Sequence, residues 1–218
     1  MTAELAAAIV HYRTPDLLAR AVASFRTFYP NTHLLLIDNG STVQTAEVLN
    51  SLISRYGPGE VLSNSANLHH GPAMHQALST LKTPLALVFD SDVVVLRGGM
   101  IERMEALLAA DPLVYAVGQM TWMDDRGFDL PEASGGHPYI RPVCMLLRRD
   151  LYHSLPPFER HGAPCLRNMV AAVERGYRLL DFPTAEFIRH DGRGTATRHG
   201  YRLGLRGRIN HLLHRLGF

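Results

Sequence analysis

The chain predicts an α/β protein with a mainly parallel central sheet flanked by helices, and three observations predict it. Short apolar runs alternate with amphipathic stretches of helical length. The runs are apolar at successive positions, as in strands covered by helices on both faces. Three of them end in polar residues: His11-Tyr12, Asp38-Asn39 and Asp90-Ser91-Asp92. In open sheets of this kind ligands bind outside the carboxyl ends of the strands, so one sheet edge is marked as the site.

The elements follow in order. "LAAAIV" (5–10) reads as a first buried strand. Thr14-Pro15-Asp16 then supplies a capping hydroxyl, a proline for the first helical position and an acid for the first turn. Leu17, Leu18, Ala21, Val22 and Phe25 form the apolar face of that helix. "HLLLID" (33–38) is a second strand, and Thr42 caps a helix reaching Arg55 before Gly57-Pro58 stops it. "EVLSN" is a third strand. The loop "SANLHHGP" leads to a helix over Ala73 to Leu81, and Pro84 opens a fourth strand, "LALVFD". After another helix comes "VYAVGQM" (114–120), a fifth strand.

Residues 121–142, "TWMDDRGFDLPEASGGHPYIRP", are polar and rich in Gly and Pro, and predict a long functional loop. "VCMLLRRDLYHSL" predicts a strand and a short helix, and "PPFERHGAP" a loop. Residues 165–175 predict a helix closing at Gly176, followed by "RLLDFP" and by a strand end in "EFIRHDGRGTATRHG". No repeat or linker divides the chain, so 1–218 reads as a single domain.

Of the 218 residues 46% are hydrophobic and 19% charged, enough for one sizeable core. A net charge of +2 excludes nucleic-acid binding over the whole surface. Lys82 is the only lysine, which disfavours Schiff-base chemistry. Cys144 and Cys165 make neither a disulfide framework nor a CxxC metal site, and point to a reducing cytoplasm. "MTAELAAAIVHYR" lacks the basic start of a signal peptide and reads as the first strand. No apolar run approaches the length of about 18 residues expected of a transmembrane helix.

The chemistry centres on "LALVFDSDVVV" (85–95). Burying an ionised carboxylate is costly unless it is paired or binds a metal. A hard dication, Mn²⁺ or Mg²⁺, suits Asp90 and Asp92, since such ions take one or two carboxylates and complete their shell with water and phosphates. Asp-Ser-Asp also occurs as an ordinary turn, but its place beside two other polar strand ends favours the metal.

"HYR", the Thr-Pro helix start, "LLLIDNGST", "NLHHGPAMHQAL" and "LALVFDSDVVV" together resemble the nucleotide-binding half of GT-A glycosyltransferases of family 2. "VCMLLRRDLY" and "GYRLLDFPTAEFIRHDGRGT" resemble that family's acceptor-side strand and closing histidine segment. The resemblance implies a GT-A fold in which 1–96 binds the nucleotide sugar, 97–200 forms the acceptor side and 201–218 is a basic tail. It also implies metal-dependent transfer of a sugar, with inversion, from a nucleotide-diphosphate donor (a UDP-sugar favoured) to an acceptor hydroxyl. The acceptor would be a glycan, a lipid-linked molecule or a protein, in glycan or polysaccharide biosynthesis. By the same resemblance His11 and Tyr12 border the nucleobase, Asp38 accepts from the base or ribose, and Asn67 precedes the phosphate-side loop. Ser91 lies near the ribose, Asp90 and Asp92 hold the metal with His190, and Arg193 binds the diphosphate. Asp38 before Asn-Gly also suits a simple turn. His69 and His70 stand where the family more often has small or aromatic residues.

An inverting transfer needs a general base. The family's usual acidic pair, ahead of "GY", is replaced here by "GAPCLRN". Glu159 and His161 are the candidates, with Asp124, Asp125 and Glu132 as others. Absence of a base also suits a retaining mechanism or a pseudoenzyme. The tail places Leu205, Ile209, Leu212, Leu213 and Leu216 at helical spacing among arginines. It suits either packing on the domain or a second subunit, or peripheral contact with the inner face of a membrane. A non-catalytic nucleotide-sugar-binding subunit is the alternative function. A nucleotidyltransferase lacks its expected Gly-rich loop after the first strand, and a dinucleotide dehydrogenase lacks GxGxxG.

Overall fold

A computed structural model describes residues 4–159 and 162–191. Strand β4 (Leu85–Asp90) illustrates how the fold is built. Leu85, Leu87 and Phe89 face one core layer, and Ala86 and Val88 the other, as the two-residue strand period requires. All five side chains are buried, and each large one so buried contributes about 1.5–3 kcal/mol. β1 (Leu5–His11), β2 (His33–Asp38) and β3 (Gly59–Ser63) repeat the pattern, and these four strands run parallel in the order β3-β2-β1-β4.

Helices α1 (Pro15–Phe28), α2 (Val43–Tyr56) and α4 (Met100–Ala110) belong with one face. Helices α3 (His70–Thr80), α5 (Arg149–Tyr152) and α6 (Leu166–Glu174) belong with the other. β5 (Val93–Val95) leaves the main sheet after β4 and pairs antiparallel with β10 (Ile188–His190).

The sheet is mainly parallel as expected, and beyond β4 it takes in antiparallel pairs. β8 (His137–Arg148) lies antiparallel between β4 and β6 (Val114–Met123), while β9 (Arg178–Asp181) joins β6 in parallel. Half of the long loop expected over 121–142 is strand. β6 continues past a register shift between Gly118 and Met120, and β7 (Asp129–Leu130) closes a hairpin on its end. Asp124 Oδ1 accepts from the Arg126 and Phe128 amides, and Gly127 turns the chain at φ 82°. Many residues of this arm are exposed or half-buried, so they show no apolar run.

Helix α3 starts three residues before the expected Ala73. Pro72 sits in its first turn, where the missing N–H has no helical partner to lose. Thr14 and Thr42 stand at the N-caps of α1 and α2 but make no capping bond with their hydroxyls. Thr14 uses its hydroxyl elsewhere.

Candidate functional site

Strand register puts the polar ends level with one another: Val10 pairs with Asp90, His11 with Asp38, and Asp38 with Ser63. The carboxyl edge of the parallel strands is therefore where the candidates gather. Asp90 ends β4 and Asp92 lies one residue further on. The β5–β10 ribbon brings His190 opposite Val93, with the Asp191 amide donating to the Asp92 carbonyl at 3.0 Å. Asp191 in turn pairs with Arg20 of α1 at 3.1 Å and with Arg189 at 2.9 Å. Residues about a hundred positions apart meet because this short ribbon is tied down.

His190 Nε2 lies 3.1 Å from Asp92 Oδ1 and 3.9 Å from Asp90 Oδ2. His70 Nε2, from the first turn of α3, lies 3.3 Å from Asp90 Oδ1. Burial pushes the Asp90 carboxyl above its usual range, and the like charge of Asp92 adds to this. The two imidazoles oppose the shift. A carboxylate in such a place is stabilised in its ionised form by a cation. Asp90, Asp92 and His190 each present one donor atom, all within 4.8 Å of one another. Hard dications bind their donors at about 2.0–2.6 Å, so that span is about the width of one coordination shell. Two carboxylate oxygens and one imidazole nitrogen fit Mn²⁺ or Mg²⁺.

Ser91 Oγ lies 3.5 Å from Thr14 Oγ1, and Thr14 Oγ1 lies 3.3 Å from His11 Nδ1. His11 is fully buried and its Nε2 has no hydrogen-bond partner among the described residues. Burial holds its imidazole down to about 4, against the opposing pull of Asp38, so at neutral pH it is uncharged. His11 thus bears on Ser91 through Thr14. Asp38 is buried and its Oδ1 accepts from the Ser41 amide at 3.0 Å, shaping the turn at the end of β2. Tyr12 is half-buried with the Arg13 guanidinium 4.9 Å from its ring centroid.

Asn67 Oδ1 accepts from the His69 amide at 2.7 Å and from Asn39 Nδ2 at 3.1 Å. Asn39 organises this loop. Its Oδ1 takes the Leu68 amide and Asn64 Nδ2, and its Nδ2 also reaches the His69 carbonyl. Asn64 and Gln76 exchange two bonds of 2.9 Å. Gly40 is required beneath them: at φ 81° a Cβ would stand 2.3 Å from the Ala66 carbonyl carbon.

Glu159 stands apart from this group, exposed ahead of α6. Arg167 Nη1 lies 3.0 and 3.2 Å from its two carboxylate oxygens. Gly127 of the hairpin turn abuts Ala163, which puts the start of α6 beside that turn. Of the other acids, Asp124 is engaged in the hairpin turn, Asp125 pairs with His137 at 2.8 Å, and Glu132 lies in a short 3₁₀ turn. His161, Arg193 and the tail 201–218 lie outside the described residues. Thr14 and His70 were not among the expected site residues, and Asn39 was expected only as a polar strand end with no role of its own. Thr14 signals only a helix start in the sequence.

The family model described as "Glycosyl transferase family 2" matches residues 7–175. The chain belongs to glycosyl transferase family 2. No curated protein matches it. Among solved structures it is similar to the mannosyltransferase PcManGT from Pyrobaculum calidifontis in complex with GDP-Man and Mn²⁺. There the TM-score is 0.74 and the identity 14%, over 100% of this chain and 65% of that one. It is also similar to residues 1–349 of S. aureus TarS in complex with UDP-GlcNAc, with TM-score 0.63 and 13% identity over 93% of this chain and 62% of that one. A third is GalNAc-T7 with UDP, GalNAc and Mn²⁺, with TM-score 0.65 and 14% identity over 84% of this chain and 43% of that one. At these identities the likeness shows the fold, GT-A, and this family 2 chain spans less than two thirds of each of these proteins. Among the described residues no helix is long and apolar enough to cross a membrane.

Proposed function

We propose that this family 2 chain transfers a sugar from a nucleotide-diphosphate donor, a UDP-sugar first among the candidates, to the hydroxyl of a glycan, a lipid-linked molecule or a protein. The convergence of Asp90, Asp92 and His190 at the carboxyl edge of the parallel strands carries this reading. A dication held by these three would supply positive charge to the diphosphate as it leaves. Asp38, Ser91 and the Tyr12 segment receive the nucleoside, with His11 and Thr14 holding Ser91 from below. Asn67 and its loop flank the phosphates, and Arg193 adds a guanidinium fork.

In the transfer, the acceptor oxygen bonds to the anomeric carbon as the bond from that carbon to the phosphate oxygen breaks. The electron pair leaves with the nucleoside diphosphate and the acceptor proton passes to a base. A single displacement of this kind inverts the anomeric carbon. Glu159 is the proposed base, ahead of α6; His161, two residues on in the sequence, is the other candidate.

The lack of an acid in "GAPCLRN" favours a second reading, a subunit that binds the nucleotide sugar without turning it over. Incubation with a panel of UDP- and GDP-sugars and Mn²⁺, with nucleotide diphosphate release as the readout, separates the two. Acceptor-stimulated release from one donor supports transfer. Donor binding with no release from any of them, alone or with acceptors, contradicts it.

A further inference from the structure

His70 and the residue before it each break a local rule. His70 occupies the first turn of α3, where an acid or a small polar residue suits the helix and a histidine does not. The residue before it, His69, is held at φ 69°, a left-handed conformation uncommon outside glycine, asparagine and aspartate. Local rules are commonly broken at functional sites, provided the surroundings over-determine the strained residue. Here they do. The His69 amide is taken by Asn67, its carbonyl receives both Asn39 Nδ2 and the Ala73 amide, and the neighbouring Leu68 amide is taken by Asn39. The loop fixes where α3 begins, and hence where the His70 ring stands.

That ring meets Asp90 on the oxygen facing away from His190: His70 Nε2 is 3.3 Å from Oδ1, while His190 Nε2 is 3.9 Å from Oδ2. We propose that His70 is a positioning residue for the cation site, donating from Nε2 to Asp90 Oδ1 and so aiming Oδ2 at the ion shared with Asp92 and His190. This rests on the reading of Asp90, Asp92 and His190 as the cation ligands. A hydrogen bond to the outer oxygen of a ligating carboxylate removes rotational freedom that the ion would otherwise have to freeze. Partners of this kind typically change metal affinity by about 10–100-fold.

The test is a titration with Mn²⁺ alone, free ion being followed by electron paramagnetic resonance. It is run on the full chain, His70→Ala, His70→Gln and Asp92→Ala, each checked for an unchanged thermal midpoint. UDP binding in EDTA is measured alongside. The expected result is Mn²⁺ binding by the wild type and its loss in Asp92→Ala. His70→Ala should be weakened about 10–100-fold, and His70→Gln, whose amide also donates, should bind more tightly than His70→Ala. UDP binding in EDTA should be the same for the wild type and both His70 variants. Wild-type affinity in His70→Ala, with Asp92→Ala defective, overturns the role of His70 alone. Weaker UDP binding in EDTA by His70→Ala also overturns it, because the ring would then contact phosphate directly. No Mn²⁺ binding by the wild type overturns the cation site and this role together.

Discussion

The two halves of the sheet reach the same edge by different routes. In the parallel half β1, β2 and β4 run side by side, so their last residues arrive at that edge together, and His11, Asp38 and Asp90 fall within one register step of each other. In the other half β6 and β8 are antiparallel, so the edge is made from the end of one strand, the start of the next and the hairpin between them. The polar groups differ accordingly. Those of the parallel half converge on shared positions, with Asp90 facing His70, His190 and Asp92. Those of the antiparallel arm and of the loop ahead of α6 are spent in separate pairs, Asp129 with Arg141, Asp125 with His137, and Glu159 with Arg167. The contrast teaches that parallel topology brings strand ends to one edge, where a tied-down ribbon can add His190, whereas an antiparallel arm needs its own pairings to hold shape.

Each half can be probed where that contrast is sharpest. The largest effect is expected at the loop ahead of α6. Glu159→Gln should lower the rate of transfer by about 10²–10⁴-fold and leave Mn²⁺-dependent nucleotide binding unchanged. An unaltered rate would remove Glu159 from the chemistry and turn attention to His161.

In the parallel half the buried His11 makes stability depend on pH. Above about 6.5 the imidazole is neutral both folded and unfolded. As the pH falls from 6.5 to about 4 the unfolded chain gains this proton and the folded chain does not. Stability should therefore drop, by about 3 kcal/mol for roughly 2.5 pH units at about 1.4 kcal/mol each. Denaturant unfolding of the wild type against His11→Asn over that range checks it. Equal slopes for the two proteins would show that His11 takes up its proton as readily in the fold as in the unfolded chain.

Two glycines give a smaller, paired comparison. Gly40→Ala would press a Cβ against the backbone of Ala66 at a left-handed φ, and should cost about 2–4 kcal/mol. Gly118→Ala meets the Ile140 side chain at 2.6 Å and the Cys144 carbonyl at 2.8 Å, at the irregular point of β6. Part of that clash is with a side chain, so about 1–3 kcal/mol is expected. Thermal unfolding that ranks Gly118→Ala as the more damaging would reverse this ordering of the halves.

The same division governs what could be read in the sequence. "LAAAIV", "HLLLID" and "LALVFD" are legible because strands buried on both faces are continuously apolar, and the polar residue ending each run is conspicuous. Asp90 and Asp92 stood out for that reason. His190 was legible only through resemblance, since nothing local says that β10 will pair with β5. The hairpin reads as loop because residues such as Asp129 and Arg141 alternate with apolar ones on strands open to solvent. Gly127 and Gly135 there have the look of loop punctuation. Pro72 looked like a boundary and proved to be a first-turn residue, which hid the fact that His70 belongs to α3. Thr14 looked like a cap, and only the register of β1 against β4 reveals that its hydroxyl faces Ser91.

The central claim is that Asp90 and Asp92 hold a dication on which the nucleotide diphosphate depends. Calorimetry of UDP and GDP with and without Mn²⁺, on the wild type and Asp92→Ala, tests it most directly. Binding of at least one nucleotide should be much tighter with Mn²⁺ than without it, and Asp92→Ala should lose that difference. Binding of equal strength without the ion, or by the variant with it, would contradict the account.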